Sequence, residues 1–407
     1  MSVKTPPSLD RVREGLARIG ATDAVLARSR PVVVAGTNGK GSVCAALEAI
    51  LLARGERVGL FTSPHLVDPC ERFRVGGRDV SPASYERANQ EVLEATSDLA
   101  LTDFEVHALM AVWLFCIGNT PVERMILEVG LGGTFDATNA VPHETSVVTS
   151  LGLDHQDVLG ATLPEIARSK LGIVSPGSLV VHAPFPPEAA AVVAETRARV
   201  GGRWVETMPF GYRVDATGEE PRFFLGLDAV ETEISLAGHR GAENCALAVT
   251  VARELGVGTR EALRALGGIK WPGRMELVGR APSGAPIYLS GDHNPQGVAS
   301  LLELLPAYRR ERLHLVVGVG REKDLDGVLA PLFALGDVYL TETPFRGRAL
   351  ADHGAWLGRA TFSSPDPMAA LKAATEAAAR EDLVLVTGSL YLVGLVRALR
   401  KAARRDS

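Results

Sequence analysis

The chain has 407 residues, 46% of them hydrophobic and 22% charged, with a net charge of −5, so it has the apolar material for substantial cores and the length for two or three domains. The acidic balance argues against a nucleic-acid partner, and the longest apolar stretch, Ala108 to Ile117, is too short to span a bilayer. The opening MSVKTPPSLDRVREG has no signal-peptide core, which makes cytoplasm the expected compartment. Cys44, Cys70, Cys116 and Cys245 lie far apart with no CxxC pair, and read as small buried apolar residues.

The first strand-like run, Val32 to Val34, stops at a glycine-rich turn, PVVVAGTNGKGSV, that opens a helix from Val43 to Arg54. Such a turn offers backbone N–H groups to phosphate, Lys40 adds a mobile cation, and the helix N-terminus adds its dipole. The spacing departs from the usual P-loop, because Gly41 separates Lys40 from Ser42. Further strands are expected at Val58 to Phe61, Met125 to Val129, Ser146 to Ser150 and Leu179 to His182, alternating with helices at Glu105 to Ile117 and Leu163 to Leu171. That alternation implies a mostly parallel sheet with ligands at the carboxyl ends of its strands. Ser63, Glu128 and His155 fall at three such ends. A hydroxyl, a carboxylate and an imidazole there can converge on one divalent cation such as magnesium. Singly, they also read as a turn residue before Pro64, a strand-end charge and a loop hydrogen bonder.

From Trp204 to Ala237 the pattern changes to short alternating segments broken by Gly and Pro, consistent with a few antiparallel strands, and two helices follow at Ala242 to Leu255 and Thr259 to Leu266. After the turn-rich stretch Gly267 to Pro286 a second α/β unit begins, with strands expected at Ile287 to Ser290, Leu313 to Val319, Val338 to Thr341 and Leu383 to Thr387. It has no glycine-rich phosphate loop of the first type. A hinge is expected near Trp271 to Gly273, and the basic tail Arg397 to Arg405 reads as the solvated face of a last helix.

Several motifs now stand in one order: VAGTNGKGS, FTSPHL with Glu71 and Arg72, LEVGLGG with DATN, TSLGLDHQDVLG followed by EIARSKLGI, WPGRME, HNP and TGSLYLVG. Together they resemble the folylpolyglutamate synthase and dihydrofolate synthase group of Mur-type ATP-dependent amide ligases, through almost the whole chain. The resemblance implies an α/β protein with a large P-loop-type ATPase domain over residues 1–270, a linker over 271–285 and a smaller Rossmann-like domain over 286–407. It implies ATP and Mg2+ as cofactors, with Asn38, Gly39, Lys40, Gly41, Ser42, Asn244, Arg274 and Asp292 as the cofactor-binding set. Ser63, Glu128 and His155 match the family's metal positions. Lys170 stands at a lysine that many of these ligases carbamylate, although as an isolated residue it reads as an exposed helix lysine. Thr102, Asp103, Phe104 and Glu105, with Phe135, Asp136 and Ala137, fall at segments that line the pterin pocket. His293, Ser290 and Ser389 match positions that handle the incoming glutamate, and Lys323 with Asp324 matches a KD pair.

Two departures stand out. Thr134 occupies a place where the family commonly has arginine, and the usual D-G-A-H-N-P is here Ser290-Gly291-Asp292-His293-Asn294-Pro295. Residues two apart share a strand face, so Asp292 takes the place of the missing carboxylate if the strand persists that far. The activity implied is ligation of L-glutamate to dihydropteroate or a reduced folate through an acyl phosphate, by a monomer without membrane or nucleic-acid partners. Another Mur-type amino-acid ligase, or a nucleotide-binding regulatory paralogue that has lost turnover, remains open at this point.

Overall fold

The computed structural model describes residues 9–118 and 121–405. It divides into two compact units, one comprising Met1–Tyr212, Phe224–Ser235 and Gly241–Ile269, the other Arg213–Phe223, Leu236–Arg240 and Lys270–Ser407.

The first unit is built on strands β1 (Val32–Ala35), β2 (Val58–Phe61), β3 (Phe73–Val75), β4 (Arg78–Asp79), β5 (Arg124–Glu128), β6 (Thr145–Val148), β7 (Leu179–His182) and β8 (Arg203–Glu206), in the order β4-β3-β2-β5-β1-β6-β7-β8. From β2 to β8 all neighbours run parallel, and an antiparallel hairpin, β3 with β4, closes one edge. Every residue of β1, β2, β5 and β6 is buried, as expected of central strands covered by helices on both faces. Register decides what meets at the carboxyl edge: Val34 of β1 lies opposite Glu128 of β5 on one side and Val147 of β6 on the other.

Strand and helix positions agree with the sequence pattern to within a few residues, and the exceptions have local causes. The helix expected from Glu105 starts at Asp103, because Thr102 and Glu105 form a reciprocal capping box, and its last five residues, Trp113–Ile117, widen into a π-helical turn. The segment around Trp204 was expected among the antiparallel strands, yet β8 joins the large sheet parallel to β7. Strands β9 (Gly211–Asp215), β10 (Arg222–Leu227) and β11 (Val230–Ile234) make a separate three-stranded sheet in the order β11-β10-β9. All four cysteines are buried and free.

The second unit holds β12 (Glu276–Arg280), β13 (Pro286–Leu289), β14 (Leu313–Val317), β15 (Asp337–Thr341), β16 (Phe362–Ser364) and β17 (Leu383–Thr387), ordered β12-β13-β17-β14-β15-β16. Only the β12–β13 pair is antiparallel. The basic tail departs from expectation at its first residue: Arg397 of the last helix is buried, and its Nε lies 3.0 Å from both carboxylate oxygens of Glu276. Glu276 in turn accepts the Gly273 N–H at 2.9 Å, so this arginine fixes the WPGRME turn.

One buried pair makes stability depend on pH. Glu48, on the helix Lys40–Ala53, meets Arg74 of β3 at 3.2 Å, yet Glu48 Oε1 and Arg74 Nε are buried without a hydrogen-bond partner, Arg74 Nε standing 3.9 Å from Asp79 Oδ1. Burial pushes the Glu48 carboxyl up to about 7; Arg74 opposes the shift and Asp79 adds to it. Between the unfolded carboxyl value and that point the folded chain binds the extra proton, so this group's contribution falls as pH rises through the window, by up to about 1.4 kcal/mol per pH unit. Urea melts of Glu48→Gln between pH 5 and 8 are expected to show a shallower loss of stability with pH than the parent. An unchanged slope would assign the pH dependence to other groups.

Candidate active site

The glycine-rich turn is held from beneath by the end of its neighbour strand β6. Thr149 Oγ1 donates to the Asn38 carbonyl at 2.7 Å, Thr37 N donates to Ser150 O at 2.7 Å, and Thr37 Oγ1 donates to Gly152 O at 3.0 Å. Gly39 adopts φ +87°, and a Cβ there would lie 2.3 Å from Asn244 Oδ1, so the backbone has to be bare where Asn244 reaches it. Gly41 and Ser42 follow in the first turn of the buried helix Lys40–Ala53, Ser42 itself being buried. Asn38 to Ser42 and Asn244 thus meet in one unit. The clamp by Thr149 and Ser150 escaped the sequence reading; its signal was the pair of hydroxyls at the end of an apolar strand.

Two cations converge under this turn. Lys40 Nζ donates to Gly36 O at 3.1 Å and to Thr37 O at 3.3 Å, while Lys170 Nζ donates to the same Gly36 oxygen at 2.8 Å. Lys170 is 4% exposed, which overturns its reading as a surface lysine. Two lysine nitrogens that share one acceptor lie within about 6 Å of each other, so their charges are concentrated beneath the turn.

On the other side of β1, Glu128 ends β5 as a buried carboxylate whose Oε2 accepts the Ser63 N–H at 3.0 Å. Glu71 Oε2 gathers the same loop by accepting the N–H groups of Leu66 and Val67 at 2.9 and 3.1 Å, and Arg72 Nε donates to His65 Nδ1 at 2.9 Å. The structure therefore joins Ser63 to Glu128 directly. His155 lies in the loop beyond β6 with φ +50°; its N–H donates to Asp154 Oδ1 at 2.9 Å, and its Nε2 stands 3.9 Å from Asp154 Oδ2. Asp154 is largely buried, which favours an orienting contact over a solvated loop, whereas Asp157 is exposed. Among the described residues no group of three or more His, Cys, Asp or Glu side chains forms a ready-made cage. The oxygen donors of Ser63 and Glu128 suit magnesium, which takes few protein ligands and keeps waters and phosphate oxygens.

The segments expected at the pterin pocket divide by role. Asp136 is buried, and its oxygens accept from Gly130 N, Leu131 N, Thr138 N and Thr138 Oγ1 at 3.0, 3.0, 3.0 and 2.6 Å. Burial pushes its carboxyl up and these hydrogen bonds oppose the shift. It organises the loop, with Ala137 buried beside it, while Phe135 is 63% exposed. Similarly Thr102 and Glu105 cap their helix, Glu105 also pairs with Arg11 at 3.0 Å, Asp103 is exposed, and the Phe104 ring packs 5.8 Å from that of Phe61.

In the second unit β13 ends at Leu289, so strand periodicity does not carry from Ser290 to Asp292 as expected. A hydrogen bond replaces it: Ser290 Oγ donates to Asp292 Oδ2 at 2.6 Å. Burial pushes the Asp292 carboxyl up, and the Arg274 guanidinium opposes that shift. His293 Nδ1 lies 2.8 Å from Gly291 O, and Asn294 caps the helix Pro295–Leu304. The Gly388 N–H donates to Asp292 O at 2.9 Å, which brings the loop of Ser389 alongside; Ser389 is buried and its Oγ accepts the Tyr391 N–H at 3.2 Å. Asp324 proves to be a helix cap, accepting the Gly327 N–H at 3.0 Å, while the Lys323 carbonyl accepts from Arg348.

A family profile described as "Mur ligase, glutamate ligase domain" matches residues 273–390. A Halobacterium salinarum protein, named a probable bifunctional folylpolyglutamate synthase/dihydropteroate synthase, is 37% identical over 90% of this chain; the chain spans only 46% of it, about half. The Escherichia coli dihydrofolate synthase/folylpolyglutamate synthase is 34% identical, over 96% of this chain and 92% of its own. Among solved structures, Escherichia coli FolC in complex with DHPP and ADP aligns with TM-score 0.85 and 31% identity, covering 99% of this chain and 95% of that one. The bifunctional Yersinia pestis CO92 enzyme complexed with AMPPNP and Mn ion aligns with TM-score 0.82 and 30% identity, covering 98% and 94%.

Glu128→Gln keeps an oxygen for the Ser63 N–H and removes the charge. The apparent magnesium requirement of nucleotide turnover is expected to rise about tenfold with the melting temperature nearly unchanged, since a hard cation needs the charge more than the shape. A magnesium titration checks this, and a parental curve would remove Glu128 from the site.

Proposed function

The chain belongs to the folylpolyglutamate synthase and dihydrofolate synthase family of Mur-type ATP-dependent amide ligases, and from that premise we propose that it joins L-glutamate to the carboxylate of dihydropteroate or a reduced folate at the expense of ATP. The observation that carries the reading is the pair of lysines on the Gly36 carbonyl beneath a glycine-rich turn, a cradle for phosphate charge.

A carboxylate does not condense with an amine in water, because its oxygen is a poor leaving group. Transfer of the γ-phosphoryl group to that oxygen gives an acyl phosphate and ADP; the glutamate amine then attacks the carbonyl, phosphate leaves, and the amine's proton passes to solvent or to a nearby base. No covalent protein nucleophile is needed. The N–H groups of Asn38 to Ser42 orient the phosphates, Lys40 follows the charge that develops on the transferring group, and Asn244 positions the nucleotide. Magnesium, when bound by Ser63, Glu128 and His155, supplies charge neutralisation at the phosphate oxygens. Carbamylation of Lys170 would use one CO2, release two protons and turn a buried cation into an oxygen donor. The carbamate keeps one N–H, so the bond to Gly36 O survives the change.

In the second unit the Ser290–Asp292 pair, next to His293 and Ser389, offers a carboxylate for the ammonium group of glutamate. A charge-assisted hydrogen bond of this kind is worth about 1.5–3 kcal/mol. Asp292→Asn is therefore expected to raise the Michaelis constant for glutamate about ten- to a hundredfold while that for ATP changes much less. The double change Ser290→Asp with Asp292→Ala should recover part of the loss. Steady-state kinetics with each substrate varied tests this, and unaltered glutamate kinetics would refute the assignment.

ADP release measured with dihydropteroate and with tetrahydrofolate, each with and without glutamate, tests the activity itself. Release that requires both a folate-type acid and glutamate is expected, together with its near-abolition in Lys40→Ala. Turnover of that variant within about tenfold of the parent would exclude an essential transition-state charge at Lys40.

A further inference from the structure

The helix Leu163–Lys170 ends on Lys170, and the loop that ends it is capped by another segment of the chain. Carbonyls in the last turn of a helix lack intrahelical partners. Here Ser169 O accepts both the N–H of Thr134 at 2.9 Å and its Oγ1 at 3.1 Å. Asn139 Nδ2 then donates to the carbonyls of Thr134 and Gly172, each at 3.1 Å, closing the clamp over the turn that follows Lys170. The approach is close: a Cβ on Gly172 would lie 1.9 Å from Thr134 Oγ1. The loop is itself rigid, because Asp136 holds the Gly130, Leu131 and Thr138 N–H groups, and it presents Phe135 outward on its far side. A continuous set of hydrogen bonds thus runs from this loop through the last turn of the helix to Lys170 Nζ, Gly36 O and Lys40 Nζ.

We propose that Thr134 and Asn139 are positioning residues that act through Lys170, capping its helix from the loop that Asp136 organises so that its nitrogen stays fixed under the phosphate loop. The proposal rests on the reading of Gly36 to Ser42 as the ATP site. Ser169 O is also within reach of the Leu171 N–H, so loss of the hydroxyl removes one of the bonds that hold the last turn and loosens the hold of Lys170 on the carbonyl it shares with Lys40. Valine at 134 keeps the shape and the backbone N–H and loses only the hydroxyl; serine restores it.

The test is a double-mutant cycle on ADP affinity by calorimetry and on the Michaelis constant for ATP. Thr134→Val is expected to weaken both by about three- to tenfold, the range of one lost hydrogen bond, with Thr134→Ser close to the parent and Asn139→Ala similar to Thr134→Val. In a Lys170→Met background the same Thr134→Val change should cost less than twofold, because the group it positions is gone. An equal penalty in both backgrounds, or a Thr134→Val protein that binds ADP like the parent, would overturn the proposal. If Lys170→Met does not fold, the contrast between Thr134→Val and Thr134→Ser decides, equal ADP binding by the two overturning it. ADP binding to the parent without ligation of glutamate to either folate-type acid would refute the assigned activity and leave the clamp testable; absence of nucleotide binding would refute both.

Discussion

A single carbonyl oxygen, that of Gly36, gathers two lysines beneath the glycine-rich turn. It receives Lys40 from the helix it precedes and Lys170 from a helix more than a hundred residues later. The two contacts bring a pair of lysine nitrogens to one acceptor, concentrating positive charge beneath the turn. The parallel sheet makes this meeting possible. Strand β1 delivers Gly36 at its carboxyl end, β5 delivers Glu128 opposite Val34, two residues before Gly36, and β6 is followed by the hydroxyls of Thr149 and Ser150 that clamp Asn38.

Polar side chains around this point are mostly occupied with backbone. Glu128 holds Ser63, Glu71 holds Leu66 and Val67, Asp136 holds Gly130 and Leu131, and Thr149 holds Asn38. Loops at the end of a sheet carry N–H and C=O groups that no ladder satisfies, and a buried group left unpaired costs about 1–3 kcal/mol. The acidic residues near the site therefore serve first to fix loop shape. Phe135, by contrast, is exposed.

The second unit follows the same logic with different parts. Arg397 grips Glu276, Glu276 holds the Gly273 N–H, and the Gly273 carbonyl accepts the Gly291 N–H at 2.9 Å. The WPGRME turn, the loop of Asp292 and the last helix are thereby tied together within one unit. Arg397 shows how a long cationic side chain in a basic tail can be structural once a carboxylate on a neighbouring strand faces it.

Periodicity and turn chemistry made the α/β class, most strand positions and the phosphate loop legible in the sequence, because each depends on residues close together in the chain. Motif order added the family and the candidate residues. Burial of Lys170 could not be read, since a lysine at the end of an amphipathic helix looks the same whether water or a carbonyl awaits it. The strand argument for Asp292 failed for a related reason: where a strand stops depends on its neighbours, and the hydrogen bond from Ser290 is a property of the turn. Thr134 read as a loss relative to the family pattern, and the tertiary structure made it a helix cap because the carbonyl of Ser169, distant in the chain, lies in the last turn of its helix at that place. Local pattern determined which elements form and which residues are candidates for chemistry; the partners of those residues were decided only when the sheet brought distant loops to one edge.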